Sequence, residues 1–260
     1  MLDRVMKRLA RGALEHTRAG SRFLMKREYG VDGPHGHPDA PWKCAVLKSA
    51  EEVQASFEQV QRLGLPLVAD LPKNWDSLAA LDLILRTTDT NSRIFDAGGE
   101  WYSMIAPWLF LYGYKNITVG NKVFDKKKRR GSIVYEHSDI TSTKFSKGYF
   151  DAVTCLSVIE HGVDLNAYFK EMTRIIRVGG VLITSADYYD APIDTKGQEA
   201  YGVPIHIYSK NEITQALELA TRYGFSLMSP IDLRSAEKVV HWKEYDLRFT
   251  FVIFSLQKAP

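Results

Sequence analysis

The sequence predicts an α/β protein built on a doubly wound, mostly parallel sheet. From residue 92 onward, short apolar segments alternate with helical patterns, which is typical of parallel strands covered by helices on both faces. Polar and ionisable residues stand directly after several of these segments. The last two apolar segments follow one another without a helix between them, so we expect them to pair antiparallel. We predict a seven-stranded, Rossmann-like sheet with an antiparallel C-terminal hairpin and an N-terminal helical extension.

The N-terminal third predicts helices. Apolar residues of the basic stretch 1–27 recur at helical spacing, and the Gly- and Pro-rich stretch after it predicts a loop. Ser49 and Glu52 have capping-box spacing at the start of a helix that closes at Gly64. Asn74 is the expected N-cap of the next helix. We divide the chain into a helical extension or lid over residues 1–90 and a Rossmann-like domain over residues 91–260.

The remaining elements follow in a regular order. A second capping-box pair, Ser209 and Glu212, opens the last predicted helix. The expected strands contain, in order, RIFDAGG, NITVGN, SIVYEHSD, FDAVTCLSVIE, GGVLITSADYY, FSLMSPIDL and LRFTFVIFSLQK. The expected helices between them contain MIAPWLFLYGY, LNAYFKEMTRII and SKNEITQALELATRYG.

Composition excludes several classes of protein. The formal net charge of +3 over 260 residues is too small to indicate nucleic-acid binding by itself. No apolar stretch approaches the roughly 20 residues of a membrane span, and we find no signal-peptide pattern. Two widely separated cysteines, Cys44 and Cys155, do not make a disulfide framework. We therefore expect a cytoplasmic protein.

Polar residues at the ends of the predicted strands indicate where a ligand binds. In an open α/β sheet, ligands bind at the carboxyl ends of the strands. That edge would collect the residues that follow the first five strands: Asp96 to Glu100, Gly120 and Asn121, Ser138 to Ile140, Ser157 to His161, and Ser185 to Tyr189.

These residues carry a resemblance to a known family. From about Ser92 onward the chain resembles class I S-adenosylmethionine-dependent methyltransferases. IFDAGG resembles their first motif, and FDAVTCLSVIEHGVDLNAYFKEMTRIIRVGGVLITSADY resembles their fourth and fifth strands with the helix between them. PKNWDSL, LYGYKN and SVIEHGVDL resemble phrases in methyltransferases of bacterial surface-polysaccharide gene clusters. The resemblance implies S-adenosylmethionine as cofactor.

The chain departs from the pattern of that family at the cofactor site. Glu100 and Tyr102 stand where the family usually has the second and third glycines of its loop. Asn121 stands where it usually has an acidic residue that accepts hydrogen bonds from the ribose hydroxyls. An amide replaces that carboxylate only in part, and the lost charge-assisted bond would cost about 1–3 kcal/mol.

The resemblance implies eight cofactor-binding positions. Gly98 and Gly99 would let the backbone approach the cofactor, and Asp96 would position their loop. Asp139 would meet the adenine amino group, with the backbone of Ile140 beside it. The full predicted set is Asp96, Ala97, Gly98, Gly99, Asn121, Asp139, Ile140 and Ser157.

Three ionisable residues are candidates for chemistry. An imidazole titrates near neutral pH, so His161 is a candidate base for an acceptor hydroxyl. Asp187, after the fifth strand, is a rival base, and Glu160 is a candidate for substrate contact. His161 could instead cap the next helix. Tyr188, Tyr189 and His206 could either line an acceptor pocket or serve in packing.

We predict no metal site. His35, His37 and Asp39 lack a second matching pair of ligands and indicate a surface loop. Asp164, Asp187 and Asp190 are a second candidate set, for a divalent ion, that we do not favour. The charge run from Lys126 to Arg130 is expected to be a solvated loop, with contact to an anionic substrate as its alternative. The basic N-terminal helix is open to three roles: packing on the domain, forming a homodimer, or lying on the inner membrane face.

The function predicted from the sequence is O-methyl transfer to a sugar hydroxyl of a bacterial glycan or its precursor. Two alternatives remain open. An RNA or protein methyltransferase would use the basic residues to bind its substrate. A non-catalytic scaffold that retains the fold would explain Glu100, Tyr102 and Asn121.

Overall fold

A computed structural model describes residues 12, 14–15, 17–234 and 237–260. The helices are α1 (Arg18–Tyr29), α2 (Ala50–Arg62), α3 (Lys73–Thr87), α4 (Ile105–Leu111), α5 (Leu165–Ile175) and α6 (Lys210–Arg222). The strands are β1 (Ala45–Val46), β2 (Arg93–Ala97), β3 (Asn116–Asn121), β4 (Lys128–Arg130), β5 (Ile133–His137), β6 (Phe150–Leu156), β7 (Ile176–Tyr188), β8 (Glu199–Ala200), β9 (Val203–Pro204), β10 (Phe225–Leu227), β11 (Val240–Trp242) and β12 (Leu247–Lys258).

The central sheet has the predicted doubly wound arrangement. Its strand order is β1-β12-β7-β6-β2-β3-β5-β4, and β10 and β11 also pair with β12. The five strands from β5 to β7 run parallel, whereas β12 runs antiparallel to β7 and to β10. The Rossmann-like sheet and its antiparallel C-terminal pair are therefore confirmed. The short strands β1, β4 and β11 extend the sheet beyond the seven predicted strands.

The charge run forms part of this extension, so the prediction of a loop is wrong for three of its five residues. Lys128–Arg130 pair antiparallel with β5. Neighbouring charges are partly neutralised, because Lys127 lies 2.6 Å from Glu136 and Arg130 lies 2.9 Å from Glu28. Charged residues suit an edge strand, where they also discourage pairing with another chain.

The capping chemistry predicted from the sequence is present at α6 but not at α2 or α3. The Ser209 hydroxyl and the Glu212 carboxylate form the predicted capping box of α6. Ser49 is the N-cap of α2, although its hydroxyl makes no capping bond. The prediction for α3 is wrong, because Pro72 is the N-cap and Asn74 lies inside the first turn. The buried Asn74 amide instead bonds the Val68 backbone and the Leu71 carbonyl, which fixes the loop before the helix.

Side chains along β7 alternate between the two faces of the sheet. Thr184, Ala186 and Tyr188 face the layer of α5 and α6, where the Thr184 hydroxyl bonds Tyr168. Ser185 lies on the opposite face, where its hydroxyl donates to Asp76 of α3. Asp187 shares that face, since successive strand side chains alternate. The polar end of β7 therefore lies beneath α3.

Buried residues on both sides of position 90 share one core. Leu78 and Leu81 of α3 pack with Ile94 of β2 and Ile183 of β7. The boundary between residues 90 and 91 stays a prediction, as does the lid role of the first segment. Residues 1–11, 13 and 16 of the basic stretch 1–27 lie outside the described residues, and its predicted membrane contact stays a prediction too. In the part of the chain that is described, no helix is long and apolar enough to cross a bilayer.

Candidate active site

The turn after β2 brings the backbone close to a neighbouring loop. Gly98 has a φ of +84°, and its N–H donates to the Gly120 carbonyl at 2.7 Å. A Cβ at Gly98 would lie 2.5 Å from Val158 Cγ1, so the position has no room for a side chain. Gly99 is equally restricted, because a Cβ there would lie 2.1 Å from Asp96 Oδ2. Both glycines are thus required by the turn itself, whether or not a ligand is bound.

Asp96 stands at the end of β2 with half of its carboxylate satisfied. Its Oδ1 accepts a 2.9 Å hydrogen bond from the Thr154 hydroxyl, while Oδ2 is buried without a partner. Burial raises the pKa of Asp96 to about 7, against a smaller lowering by Thr154. Ala97, the next residue, is buried and lies opposite Gly120 in the β2–β3 register. An unpartnered buried carboxylate oxygen beside a glycine turn fits a ligand with a hydrogen-bond donor.

Asn121 joins the ends of β3 and β2. Its Nδ2 donates to the Gly98 carbonyl at 2.7 Å, and its Oδ1 accepts from the Val123 N–H at 3.1 Å. The amide donor toward Gly98 is one that a carboxylate would lack. Binding of ribose hydroxyls by Asn121 stays a prediction, with one lone pair of Oδ1 left for it.

Asp139 follows β5 and is held by neighbouring polar groups. Lys122 Nζ lies 2.9 Å from its Oδ2, while the N–H and hydroxyl of Thr141 donate to its Oδ1. Although burial opposes them, these contacts lower the pKa of Asp139 to about 2. Ile140 beside it is buried. The carboxylate is ionised at neutral pH, and an adenine amino group would share it with Lys122.

Ser157 follows β6 in a conformation that serine rarely adopts. Its φ is +51°, and its N–H donates to the carbonyl and hydroxyl oxygens of Ser185. Its own hydroxyl is buried without a partner. A non-glycine residue in the left-handed region that also presents an unpartnered hydroxyl is typical of a functional position.

Glu160 and Asp187 form a buried carboxylate pair. They are 2% and 7% exposed, and the Asp187 N–H donates a long 3.4 Å bond to Glu160 Oε1. Glu160 Oε2 is buried without a partner. Burial raises the pKa of both carboxyl groups, and for Asp187 the nearby Glu160 raises it further, while Lys73 acts against the shift in each. The pair therefore holds a proton to higher pH than carboxyl groups in water do.

His161 follows Glu160 in the chain but is less buried than this pair. Its half-buried ring makes an edge contact with Tyr201, at 5.4 Å between centroids, and the backbone N–H of His161 donates to the Val158 carbonyl. The alternative in which His161 caps the next helix is wrong, because Asp164 caps α5 through the N–H groups of Asn166 and Ala167. His161 lies at the mouth of the site, and its role as base stays a prediction.

Two residues of α3 complete the site, and the strand-end rule does not select them. Ser185 donates to Asp76 Oδ2 at 2.6 Å, and Lys73 Nζ lies 3.4 Å from the same oxygen. Asp76 is fully buried. The signal in the sequence is a charged pair three residues apart at the start of a largely buried helix, where a charge needs a buried partner.

The other polar candidates lie elsewhere in the fold. His35 bonds Asp32 at 2.8 Å within the loop before β1. The buried Tyr188 hydroxyl donates to the Leu233 carbonyl, on the face of β7 opposite Asp187. His206 lies 3.2 Å from Glu212 beside α6, and Tyr189 lies beneath Lys238. Tyr188 is thus a packing residue.

Comparisons with known proteins agree with this fold. Residues 113–184 match the family model described as a methyltransferase domain. No curated protein matches the chain significantly in sequence. Geranyl diphosphate C-methyltransferase from Streptomyces coelicolor A3(2), solved with Mg²⁺, geranyl diphosphate and S-adenosyl-L-homocysteine, superimposes with a TM-score of 0.54 at 16% identity, over 92% of this chain and 98% of that one.

Two further structures show that the fold serves different reactions. Phosphoethanolamine N-methyltransferase 2 from Haemonchus contortus, solved with phosphomonomethylethanolamine and S-adenosylhomocysteine, has a TM-score of 0.51 at 15% identity, over 73% of this chain and 54% of that one. The [4+2]-cyclase SpnF has a TM-score of 0.51 at 13% identity, over 74% and 84%. These likenesses show the fold. The methyltransferase domain together with this fold indicates a methyltransferase dependent on S-adenosylmethionine.

Proposed function

We propose that this methyltransferase transfers a methyl group to a sugar hydroxyl of a bacterial glycan or its precursor, with the Glu160–Asp187 pair as proton acceptor. The observation that carries the proposal is the buried carboxylate pair at the strand edge, whose Glu160 Oε2 has no partner. A hydroxyl acceptor must lose a proton as the methyl group arrives. A carboxyl pair with raised pKa values suits that step better than an exposed carboxylate.

The chain's own residues align the reactants and remove one proton. S-adenosylmethionine supplies a methyl group already activated by its sulfonium. The Gly98 turn, the Asp96 oxygen and the Ser157 hydroxyl would hold that cofactor. With both bound, the acceptor oxygen would form its bond to the methyl carbon as the carbon–sulfur bond breaks. The hydroxyl proton passes to the carboxylate pair, which lies in a water-poor position beneath α3.

Aromatic side chains at the mouth support a sugar as the acceptor. Tyr201, in the turn between β8 and β9, is 82% exposed. It meets the His161 ring edge-on and stacks at 26° with Trp242, at 6.5 Å between centroids. Tyr245 packs edge-on against Trp242. Flat aromatic faces beside carboxylates match a sugar ring, which has both apolar C–H faces and hydroxyl edges.

The test is methyl transfer from radiolabelled S-adenosylmethionine to a panel of nucleotide sugars and extracted lipid-linked glycans. Transfer is expected to a carbohydrate, as an ether that survives mild base. Glu160→Gln and Asp187→Asn are each expected to lower kcat at least about 100-fold, within the usual range for a general base. Both variants should still bind S-adenosylhomocysteine.

Glu218→Gln serves as the control, because Glu218 is an exposed carboxylate on α6. It is expected to leave transfer unchanged. Labelling confined to RNA or protein, or full turnover in both pair variants, would overturn the proposal.

A further inference from the structure

The first turn of α3 brings a cation to the carboxylate pair. Lys73 is only 18% exposed, and its Nζ lies 3.4 Å from Asp76 Oδ2. Asp76 also accepts the Ser185 hydroxyl bond at 2.6 Å, which attaches this turn to β7. Because Ser185 and Asp187 lie on the same face of β7, the turn is fixed two residues from the carboxylate pair.

A second contact places the ammonium beside Asp187. Lys73 Nζ lies 3.6 Å above the centre of the Phe251 ring. Phe251 is the direct partner of Asp187 in the antiparallel register of β12 and β7. Side chains at paired positions of neighbouring strands stand side by side on one face of the sheet. The Lys73 ammonium therefore lies over the pair of positions that includes Asp187.

Lys73 is surrounded by acidic side chains. Burial acts to lower the pKa of Lys73, but Asp76, followed by Asp187 and Glu160, outweighs burial and the net shift is upward. Lys73 thus keeps its proton. The titratable groups that face the carboxylate pair are Asp70, Lys73 and Asp76 from the α3 region, His161 next to Glu160, Cys155 on β6, and Tyr208 before α6.

We propose that Lys73 is a positioning residue that keeps one carboxylate of the Glu160–Asp187 pair ionised and ready to accept the proton of the acceptor. The inference rests on the proposed function and assigns part of the catalytic site to the segment before residue 90. Two neighbouring buried carboxylates cannot both ionise without a counter-charge. Lys73 supplies that charge without touching the acceptor, and Asp76 with Ser185 keeps it in place.

The first arm of the test follows the pH dependence of kcat/KM in Lys73→Met and Lys73→Arg. Without the ammonium, proton loss from the pair is expected at higher pH. The acidic limb of the profile in Lys73→Met should move up by at least about one pH unit, a tenfold loss of rate on that limb. Lys73→Arg keeps the charge, so its acidic limb should lie close to that of the native chain. A purely structural role would lower kcat at every pH and leave the limb where it is, and that result would overturn the inference.

The second arm needs no acceptor and separates the inference from the proposed function. Urea unfolding is measured between pH 5 and pH 8 for the native chain, Lys73→Met and the exposed control Lys170→Met. A carboxyl group whose folded pKa is raised stabilises the protein at low pH, and this stability is lost as pH rises toward the folded pKa. Lys73→Met should raise both folded pKa values further and lose stability more steeply above pH 5.

The two arms distinguish failure of the inference from failure of the proposed function. If the native chain methylates no sugar but Lys73→Met steepens the stability profile, the proposed function fails and the electrostatic link between Lys73 and the pair stands. If methyl transfer occurs and neither profile changes with Lys73→Met, the inference fails and the proposed function stands.

Discussion

At Asn121 the fold reverses the effect on cofactor binding that the family resemblance predicts for a substitution. The family resemblance alone suggests that an acidic residue there would improve cofactor binding. In the fold, the amide donates to the Gly98 carbonyl at 2.7 Å, and an aspartate would place an acceptor against that acceptor. The contact that shapes the glycine turn would be lost.

We therefore predict that Asn121→Asp weakens S-adenosylhomocysteine binding. The expected loss is about 1–3 kcal/mol, the cost of leaving a polar group near the turn unsatisfied. Titration calorimetry measures it. Asn166→Asp adds the same charge at the start of α5 and should bind like the native chain. Tighter binding by Asn121→Asp would show that the ribose contact outweighs the turn.

Tyr201 allows stability and acceptor binding to be separated. It has a φ of +55° and is followed by Gly202 at +77°. These are the backbone conformations of a hairpin turn that favours Asn or Asp at the first position. We predict that Tyr201→Asn leaves thermal stability unchanged or higher by up to about 1 kcal/mol, while KM for the glycan acceptor rises at least tenfold. Unchanged KM would contradict a role for this ring in acceptor binding.

Helix α3 packs the N-terminal segment against the strands of the candidate site, and its two buried carboxylates are not equivalent. Asp76 holds Lys73 and Ser185 inside the protein. Asp82, two turns later, pairs with the half-exposed Arg86. Breaking a buried pair leaves a charge without compensation, whereas a pair with one exposed partner contributes little.

We predict that Asp76→Ala lowers the free energy of unfolding by about 3–5 kcal/mol. Asp82→Ala on the same helix should lower it by less than about 1 kcal/mol. Urea unfolding of both variants measures the difference. Equal losses would show that α3 is held by its apolar face alone.

The elements could be predicted as far as local chemistry determines them. The Ser209–Glu212 capping box fixes the start of α6 because both partners lie within one turn. Asn74 is of a residue type that often caps helices, but its side chain bonds the preceding loop. Tertiary packing determines this difference. Strand β4 could not be predicted from its charged sequence, because an edge strand needs little apolar burial and so leaves no hydrophobic pattern. Such elements depend on neighbours distant in sequence.

The free energy of unfolding of the whole molecule should fall as pH rises from 5 to 8. The pKa of Asp96 is raised to about 7, and those of Glu160 and Asp187 are raised as well. A raised folded pKa stabilises the protein below the unfolded value of about 4, and this contribution disappears as pH rises through the folded value. Each pKa unit is worth about 1.4 kcal/mol.

We predict that the free energy of unfolding falls by several kcal/mol between pH 5 and pH 8. Asp96→Asn removes one titrating group but keeps an oxygen to accept from Thr154, so its profile should be flatter. Glu218→Gln, on an exposed helix surface, should follow the native profile. A native stability that rises over this range would contradict the carboxyl assignments.

The strand-end half of the site could be predicted because the fold brings carboxyl ends of parallel strands to one edge. Asp96, Asn121, Glu160 and Asp187 all follow from that rule. Lys73 and Tyr201 do not, because α3 and the β8–β9 turn reach the edge through packing that no local pattern records. The hydrogen bond from the Asn121 amide to the Gly98 carbonyl could not be predicted without the fold either.

The central claim is that the strand edge binds the cofactor on one side and removes the acceptor proton on the other. Titration calorimetry with S-adenosylhomocysteine on the native chain and on Glu160→Gln tests it most directly. We expect micromolar binding at one site per chain, with both proteins binding equally, because the proposed cofactor contacts are Asp96, Gly98 and Ser157 and do not include Glu160. Absence of binding by the native chain would contradict the claim.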